Sequence, residues 1–248
     1  MTPPVEPPVP LPAAFDATAH VFADRLDDRI TVAGDDGHHL QRARRVRAGE
    51  TVTVADGHGR WRVYEVVRSS GGEVELDALT LLGREPPLVP RLTVACSLTK
   101  GQKPELAVQK LTELGVDRIV PFVAARSVVR WDDARSARQA ERLERVAREA
   151  AMQCRRCHLP ELTRPTTFEA VAGEPGVVLA ERGGRPPDRT TRVVLVGPEG
   201  GWTEDERRSV SGHVGFGPHV LRSETAAVAV AAVLGALRAG VVIPRVDT

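Results

Sequence analysis

Cysteine is scarce in this chain: there are three, so any disulfide scheme leaves one over, and the count fits a reducing compartment. Metal-ligand spacing is scarcer still. Cys154-Arg155-Arg156-Cys157-His158 has the C-x-x-C-H pattern of c-type haem attachment, but no second ligand pair stands at metal spacing and no export signal is evident. The segment reads instead as the end of an Arg-rich amphipathic helix whose apolar stripe Cys154 extends, so no metal is expected. Long apolar runs are missing too. The longest, Thr225 to Leu237, is bounded by Glu224 and Arg238 and falls short of the ~20 residues of a membrane span. Residues 1–12 hold six prolines and lack the charged and apolar regions of a signal peptide. Residues 1–14 are therefore expected to form a disordered, polyproline-like tail. The expectation is a cytoplasmic chain with no membrane partner.

Excess charge is also absent. A formal net charge of +1 gives no global pull on nucleic acid, so an RNA contact has to come from a local patch. Two patches stand out. Of 34 basic residues only three are lysines, Lys100, Lys103 and Lys110, all within eleven positions. That clustering suggests places where a compact ammonium is wanted rather than a planar fork, facing RNA phosphate or the reacting nucleotide. A plain helix surface is the bland alternative. The second patch is Arg42, Arg44, Arg45 and Arg47 beside His38 and His39, which reads either as phosphate positioning or as a solvated charge run.

Along the chain, residues 15–85 read as short strands with turn punctuation: Val52 and Val54 alternate, Asp56-Gly57 signals a hairpin, and Trp61, Val63, Val74 and Leu76 keep the period of two. A small β-barrel-like module is expected, followed by a Pro-rich linker at 86–90. From residue 91 to 248 strands alternate with helices, hence α/β. Leu92 to Cys96 is a buried strand, and Ala107, Val108, Leu111 and Leu114 form a helical face that ends at Gly115. Ala140, Leu143, Ala147, Ala150 and Cys154 mark a second helix. The last helix is expected to start with Ser223 as its N-cap. It is apolar nearly all round, so it must be buried in the core or against a second copy, and a homodimer is expected.

The stretch richest in chemistry is Gly197-Pro198-Glu199-Gly200-Gly201-Trp202-Thr203-Glu204-Asp205-Glu206, together with Leu221-Arg222-Ser223-Glu224-Thr225-Ala226. It reads strand, Gly-rich loop, helix, because Thr203 with Glu206 is a capping box. The glycines allow a ligand to approach the backbone closely. With Glu199 and no Lys, the loop does not suit a triphosphate; it suits a ligand with a cationic or hydroxyl-rich edge, such as a sulfonium and ribose. The dinucleotide fingerprint is missing, since Gly215-Phe216-Gly217 lacks the third glycine.

Both segments resemble the signature of the bacterial 16S ribosomal RNA uridine-N3 methyltransferases, in the SPOUT class of knotted S-adenosylmethionine enzymes. That family reads G-P-E-G-G, then L-G-P-R-[IV]-L-R-x-E-T-A; here the second motif runs Phe216-Gly217-Pro218-His219-Val220-Leu221-Arg222-Ser223-Glu224-Thr225-Ala226, with His219 where the family usually has Arg. Lys100-Gly101-Gln102-Lys103, Gln109 to Val116, Arg148 to Gln153 with Arg155 and Pro160, and His38-His39-Leu40 with Arg45 and Gly49 are further blocks in the same order. The family's usual Arg-Phe opening is replaced by His20-Val21-Phe22.

The resemblance implies a knotted α/β methyltransferase domain preceded by a PUA-like RNA-binding β-barrel. It further implies a homodimer and 16S rRNA of the small ribosomal subunit as partner. S-adenosylmethionine would lie among Leu179, Ala180, Glu181, Gly197, Glu199, Gly200, Gly201, Phe216, Gly217, Leu221, Arg222, Thr225 and Ala226. RNA contacts are expected from Arg42, Arg45, Arg47, Lys100, Lys103, Lys110 and Arg155. For catalysis, Arg222 is the candidate stabiliser of a uridine anion, and Glu224 or Glu199 the candidate proton acceptor. Plain core packing for Leu179 and Leu221, and helix-terminal charge for Glu224, are the structural alternatives. A related SPOUT enzyme acting on the ribose 2′-hydroxyl or on tRNA, and a non-catalytic assembly factor, are the competing functions.

Overall fold

A computed structural model describes residues 16–101, 103–129 and 133–243. The 1–14 tail and Gln102 lie outside the described residues. The described chain divides into two compact units, one of residues 16–87 with 151–159 and one of residues 88–150 with 160–243.

The first unit is built on β1 (Ala19–Phe22), β2 (Arg29–Val32), α1 (Gly34–His38) running into a π-helical turn at His39–Ala43, β3 (Thr51–Ala55), β4 (Arg60–Ser70), β5 (Glu73–Ala78) and β6 (Gly83–Arg84). The strand order is β1-β3-β4-β5-β2, with β6 on β4. Only β1 with β3 runs parallel. Alternation drives the fold: Val52, Val54, Tyr64, Val66, Val74 and Leu76 point into one core with Val21, Val32, Leu40 and Val46. Gly71 and Gly72, both at positive φ (63° and 88°), close the β4–β5 hairpin as a two-residue turn that other residues adopt only under strain. At the expected Asp56-Gly57 turn, Asp56 Oδ1 accepts the backbone N–H groups of His58 (2.8 Å) and Arg60 (3.0 Å).

Periodicity places 151–159 in the long helix of the second domain. The structure adds that segment to the core of the first unit, through Ala151, Met152, Cys157 and Leu159. His158 Nε2 donates to the Glu85 carbonyl (2.9 Å), and Arg155 donates to the Ala17 carbonyl (2.7 Å). The Cys-x-x-Cys-His segment is thus packing material. Burial pushes the Cys157 thiol well above its usual range.

The second unit contains β7 (Thr93–Ser97), α2 (Lys103–Glu113), β8 (Arg118–Val123), α3 (Asp133–Cys154, its last residues counted with the first unit), β9 (Glu161–Leu162), β10 (Thr166–Thr167), α4 (Phe168–Ala172), β11 (Val177–Arg185), β12 (Val193–Val196), α5 (Glu204–Arg208), β13 (His213–Val214) and α6 (Ser223–Arg238). Its sheet is wholly parallel, in the order β10-β8-β7-β12-β11-β13 with β9 on β8. Such strands are covered on both faces. Val94, Val178 and Val194 meet α2, α3 and α6 on one side. Their neighbours Ala95, Leu179 and Leu195 meet Phe122, Phe168 and Trp202 on the other.

One expectation about α6 changes: its N-cap is Arg222, and Ser223 is the first helical residue, its hydroxyl donating to the Gly197 carbonyl (3.0 Å). Within the single chain, Ala227, Val230, Ala231, Leu234 and Leu237 form the face buried in the core, while Val228, Ala229 and Val233 are half-buried.

Candidate active site

In an open parallel sheet, ligands bind beyond the carboxyl ends of the strands. Here the loops leaving β11 and β12, with the 216–222 segment that enters α6, enclose a cleft of about 300 Å³. Its walls are mostly apolar: Val196, Pro198, Trp202, Phe216 and Leu221. Trp202 anchors the floor. Its Nε1 donates to the Ala180 carbonyl (3.2 Å), and its ring lies parallel to Phe122 with centroids 6.2 Å apart. A Cβ on Gly197 would meet the Trp202 ring at 2.9 Å, so only glycine lets the loop cross there. Gly201 and Gly217, at φ +69° and +138°, have open space where a side chain would project. The capping box holds the loop's far end: Glu206 accepts from the Thr203 backbone (2.8 Å) and from Ala125 (2.9 Å), and Thr203 accepts in return from the Glu206 N–H.

Among the expected cofactor residues, Ala180, Glu181, Gly197, Glu199, Gly201, Phe216, Gly217, Leu221 and Ala226 line this cleft. Four do not. Leu179 is fully buried in the core below. Gly200 faces Arg126, whose guanidinium donates to the Gly200 carbonyl (3.0 Å) and whose Cβ lies 3.0 Å from where a Gly200 Cβ would be. Arg222 and Thr225 are exposed at the start of α6. Trp202, which stands in the Gly-rich motif itself, also lines the wall, as do Arg182 and Arg207, which no motif singled out. Only the folding of β11 beside α5 brings the two arginines there.

The signature carboxylates are tied together by a lysine expected at the RNA. Lys103 opens α2, and its Nζ lies 2.7 Å from Glu199 Oε1 and 3.6 Å from Glu224 Oε2. The hydrogen bond from Lys103 holds the Glu199 carboxyl below the usual range, with a smaller contribution from the Lys100 charge; the same bond raises Lys103. Glu224 Oε2 is buried and has no hydrogen bond among the described residues. Glu224 borders a small cavity of about 20 Å³ with Ser97, Thr99 and Lys103, whereas Glu199 stands in the wall of the larger cleft; Ser223 borders both.

The remaining basic candidates separate. Lys110 pairs with Glu113 one turn on (2.8 Å), and Lys100 is exposed. Arg155, expected on an RNA face, is instead engaged inside its own unit. Arg42, Arg45 and Arg47 stand exposed around the π-helical turn, with Arg45 at φ +52°. Gln41 pins that turn by donating to the Glu73 carbonyl (2.8 Å) and accepting from Gly72 (3.0 Å). Among the described residues no group of three or more His, Cys, Asp and Glu is arranged to hold a metal, and no helix is long and apolar enough to cross a membrane.

Known proteins share the sequence pattern and the fold of this chain. Residues 84–235 match the RNA methyltransferase domain family, and residues 32–79 the RNA methyltransferase PUA domain. The ribosomal RNA small subunit methyltransferase E of Mycobacterium bovis is 33% identical over 244 residues, spanning 87% of this chain and 90% of that protein. The chain belongs to this methyltransferase family. A structure from Legionella pneumophila, named as a methyltransferase with bound SAM, superposes with a TM-score of 0.76 at 26% identity, covering 88% of this chain and 96% of that one. The family's Neisseria gonorrhoeae member, at 24% identity and TM-score 0.78 over 88% and 97% of the two chains, has the same fold. The architecture is accordingly the expected one, a SPOUT-type α/β methyltransferase domain with a PUA-like β unit.

Proposed function

We propose that this chain transfers the methyl group of S-adenosylmethionine to N3 of a uridine in 16S rRNA of the small ribosomal subunit, in the cytoplasm. The observation that carries the reading is the cleft at the carboxyl ends of β11 and β12, in a chain belonging to a family of ribosomal RNA methyltransferases. The residues present fit the cofactor: apolar walls suit an adenine, and Gly201 and Gly217 leave space against the backbone. Glu199 offers a carboxylate to a cationic or hydroxyl-bearing edge. Bound there, S-adenosylmethionine supplies an electrophilic methyl group.

The protein's own task is to remove the weakly acidic N3 proton and hold the base in line. Glu199, kept ionised by Lys103, is suited to accept hydrogen bonds and orient rather than to collect a proton. Glu224 carries a buried oxygen that makes no hydrogen bond among the described residues and lies 3.6 Å from the Lys103 ammonium, and it is the proposed proton acceptor. Arg222, exposed at the N-cap of α6 and next but one to Glu224, is the proposed cation that neutralises the uridine anion. Orientation supplies up to ~7–11 kcal/mol of such a barrier, and a base ~10²–10⁴-fold. The exposed Val241 and Ile243 just past α6, with Val228 and Val233 half-buried on it, support the homodimer.

The test is incubation with methyl-labelled S-adenosylmethionine and rRNA, followed by nucleoside digestion. Label in 3-methyluridine is expected. Label in a 2′-O-methyl nucleoside, or cofactor binding without transfer, would replace this reading with one of the competing functions.

A further inference from the structure

A second cleft, of about 510 Å³, opens beside the first and shares Glu181, Arg182 and Arg207 with it. The pairing of β11 with β13 makes it. Ala180 and Arg185 both register with Val214, so residues 181–184 bulge out of the strand. Gly183, at φ +82°, and Gly184, whose Cβ would meet the Val214 backbone at 2.6 Å, permit that excursion. The bulge carries Arg182 outward. Arg185 follows it, the end of α5 adds Arg207 and Arg208, and His213 closes the rim. Val210 is the one large aliphatic side chain in the wall. The first cleft is walled by rings and aliphatic carbon; this one is walled by guanidiniums.

We propose that this cleft holds the phosphodiester backbone of the RNA strand that presents the acceptor base; the proposal rests on the methyltransferase reading above. The chain as a whole has almost no net charge, so RNA has to be held by local clusters. Guanidinium forks match phosphate oxygens in pairs. A strand delivering a base to the donor cleft must lay its flanking phosphates next door, and the shared wall places this cleft there. Three carboxylates compete. Glu181 holds Arg207 (2.7 Å) and His213 (3.1 Å), Asp188 holds Arg185 (2.8 Å), and Glu204 holds Arg208 (3.2 Å). The last two are exposed pairs, which phosphate displaces at little cost. Arg182 is exposed and has no ion pair among the described residues.

The experiment uses the full chain and a labelled fragment of small-subunit rRNA, with affinity measured across salt concentrations. Arg185→Gln combined with Arg208→Gln removes two cations that line only this cleft. The slope of log affinity against log salt should fall by roughly 0.7 per lost contact, about 1.4 for the pair. The KM for RNA should rise about tenfold, and calorimetric affinity for S-adenosylmethionine should stay within about twofold. Glu204→Gln, which strips a competing carboxylate, should move RNA affinity the other way. An unchanged slope and KM in the double variant overturns the proposal. If that variant loses its cooperative melt, Arg208→Gln alone, at a side chain 72% exposed, carries the same test at half the size. Arginine-dependent, salt-sensitive binding without methyl transfer would sink the functional reading and leave the cleft assignment standing; normal methylation with indifferent arginines would do the reverse.

Discussion

In the mainly antiparallel first unit the guanidiniums of Arg42, Arg44, Arg45 and Arg47 stand in solvent with no ion-pair partner among the described residues. In the parallel second unit, Lys103, Lys110 and Arg207 each hold a carboxylate. For Lys103 and Arg207 strand direction accounts for the contrast, whereas Lys110 and Glu113 are neighbours on one helix, three residues apart. An antiparallel sheet distributes its turns to both ends, so its charged turns have few neighbours and act through their exposed charge. A parallel sheet sends every carboxyl end to one side, where loops distant in sequence crowd together and opposite charges find one another. The Arg42–Arg47 charge is available to a long-range partner and screened by salt, although Arg29, Arg60, Arg62 and Arg68 of the same unit are paired; the Lys103 and Arg207 pairs of the second unit are preorganised for chemistry.

The largest effect that tests this contrast is on catalysis. Glu224→Gln keeps the shape of the side chain and removes the base, and turnover is expected to drop ~10²–10⁴-fold with cofactor affinity unchanged and partial recovery as pH rises. Near-normal turnover with a lowered melting temperature would make Glu224 a helix-terminal charge and nothing more. Next comes the floor of the cleft. Trp202→Ala deletes a ring that is 3% exposed and parallel to Phe122, and should cost ~3–5 kcal/mol in urea unfolding as well as cofactor binding. A loss of binding without a loss of stability would mean that Trp202 serves the ligand alone.

A smaller, pH-dependent effect belongs to the first unit. Burial first, and the Arg155 charge in addition, drive the His20 imidazole down to about 4, against a hydrogen bond to the Arg156 carbonyl that works the other way. Between pH 6.5 and about 4 the unfolded chain therefore binds a proton that the folded chain refuses. The stability is full above pH 6.5 and falls on acidification by ~1.4 kcal/mol per pH unit until about pH 4. His20→Gln should flatten the melting-temperature profile across that window; parallel profiles would show that His20 already titrates freely. The surface arginines come after this. Replacing Arg42, Arg45 and Arg47 by Gln should reduce the salt slope of RNA binding by ~2 without moving the melting temperature, and an unchanged slope would leave them as a solvated charge run. Smallest of all is Lys110→Gln. Its pair with Glu113 is part-exposed, so a change of ~0–1 kcal/mol and an unaltered RNA affinity are expected. A marked loss of RNA affinity would restore the single role first expected for all three lysines.

How much was legible follows from what each residue depends on. The alternation at Val52, Val54, Val74 and Leu76, the apolar faces at Ala107–Leu111 and Ala140–Ala150, and the Thr203–Glu206 capping box are local patterns that the structure carries, whereas on β4 the core face falls on Tyr64 and Val66 and not on Val63. Each depends on neighbours within a turn or a strand pair, so composition and spacing determine it. Of Gly197, Gly200 and Gly201, the three read as free backbone, Gly201 takes a positive φ and Gly197 crosses against the Trp202 ring, while Gly200 packs on Arg126. Three other features were out of reach. The transfer of 151–159 into the first core, the meeting of Lys103 with Glu199 and Glu224, and the gathering of Arg182, Arg185, Arg207 and Arg208 round one bulge all join residues distant in sequence. Their partners are chosen by strand order and register, which a single sequence leaves open. Sequence alone marked the long helices, the β12 and β7 strands and the Gly-rich loop, and it missed β8 (Arg118–Val123), β9, β10, α4 and β13, which are too short or too weakly patterned to stand out. Only the tertiary structure decided which charges face each other, because a Coulomb interaction depends on distance in space and not on separation along the chain.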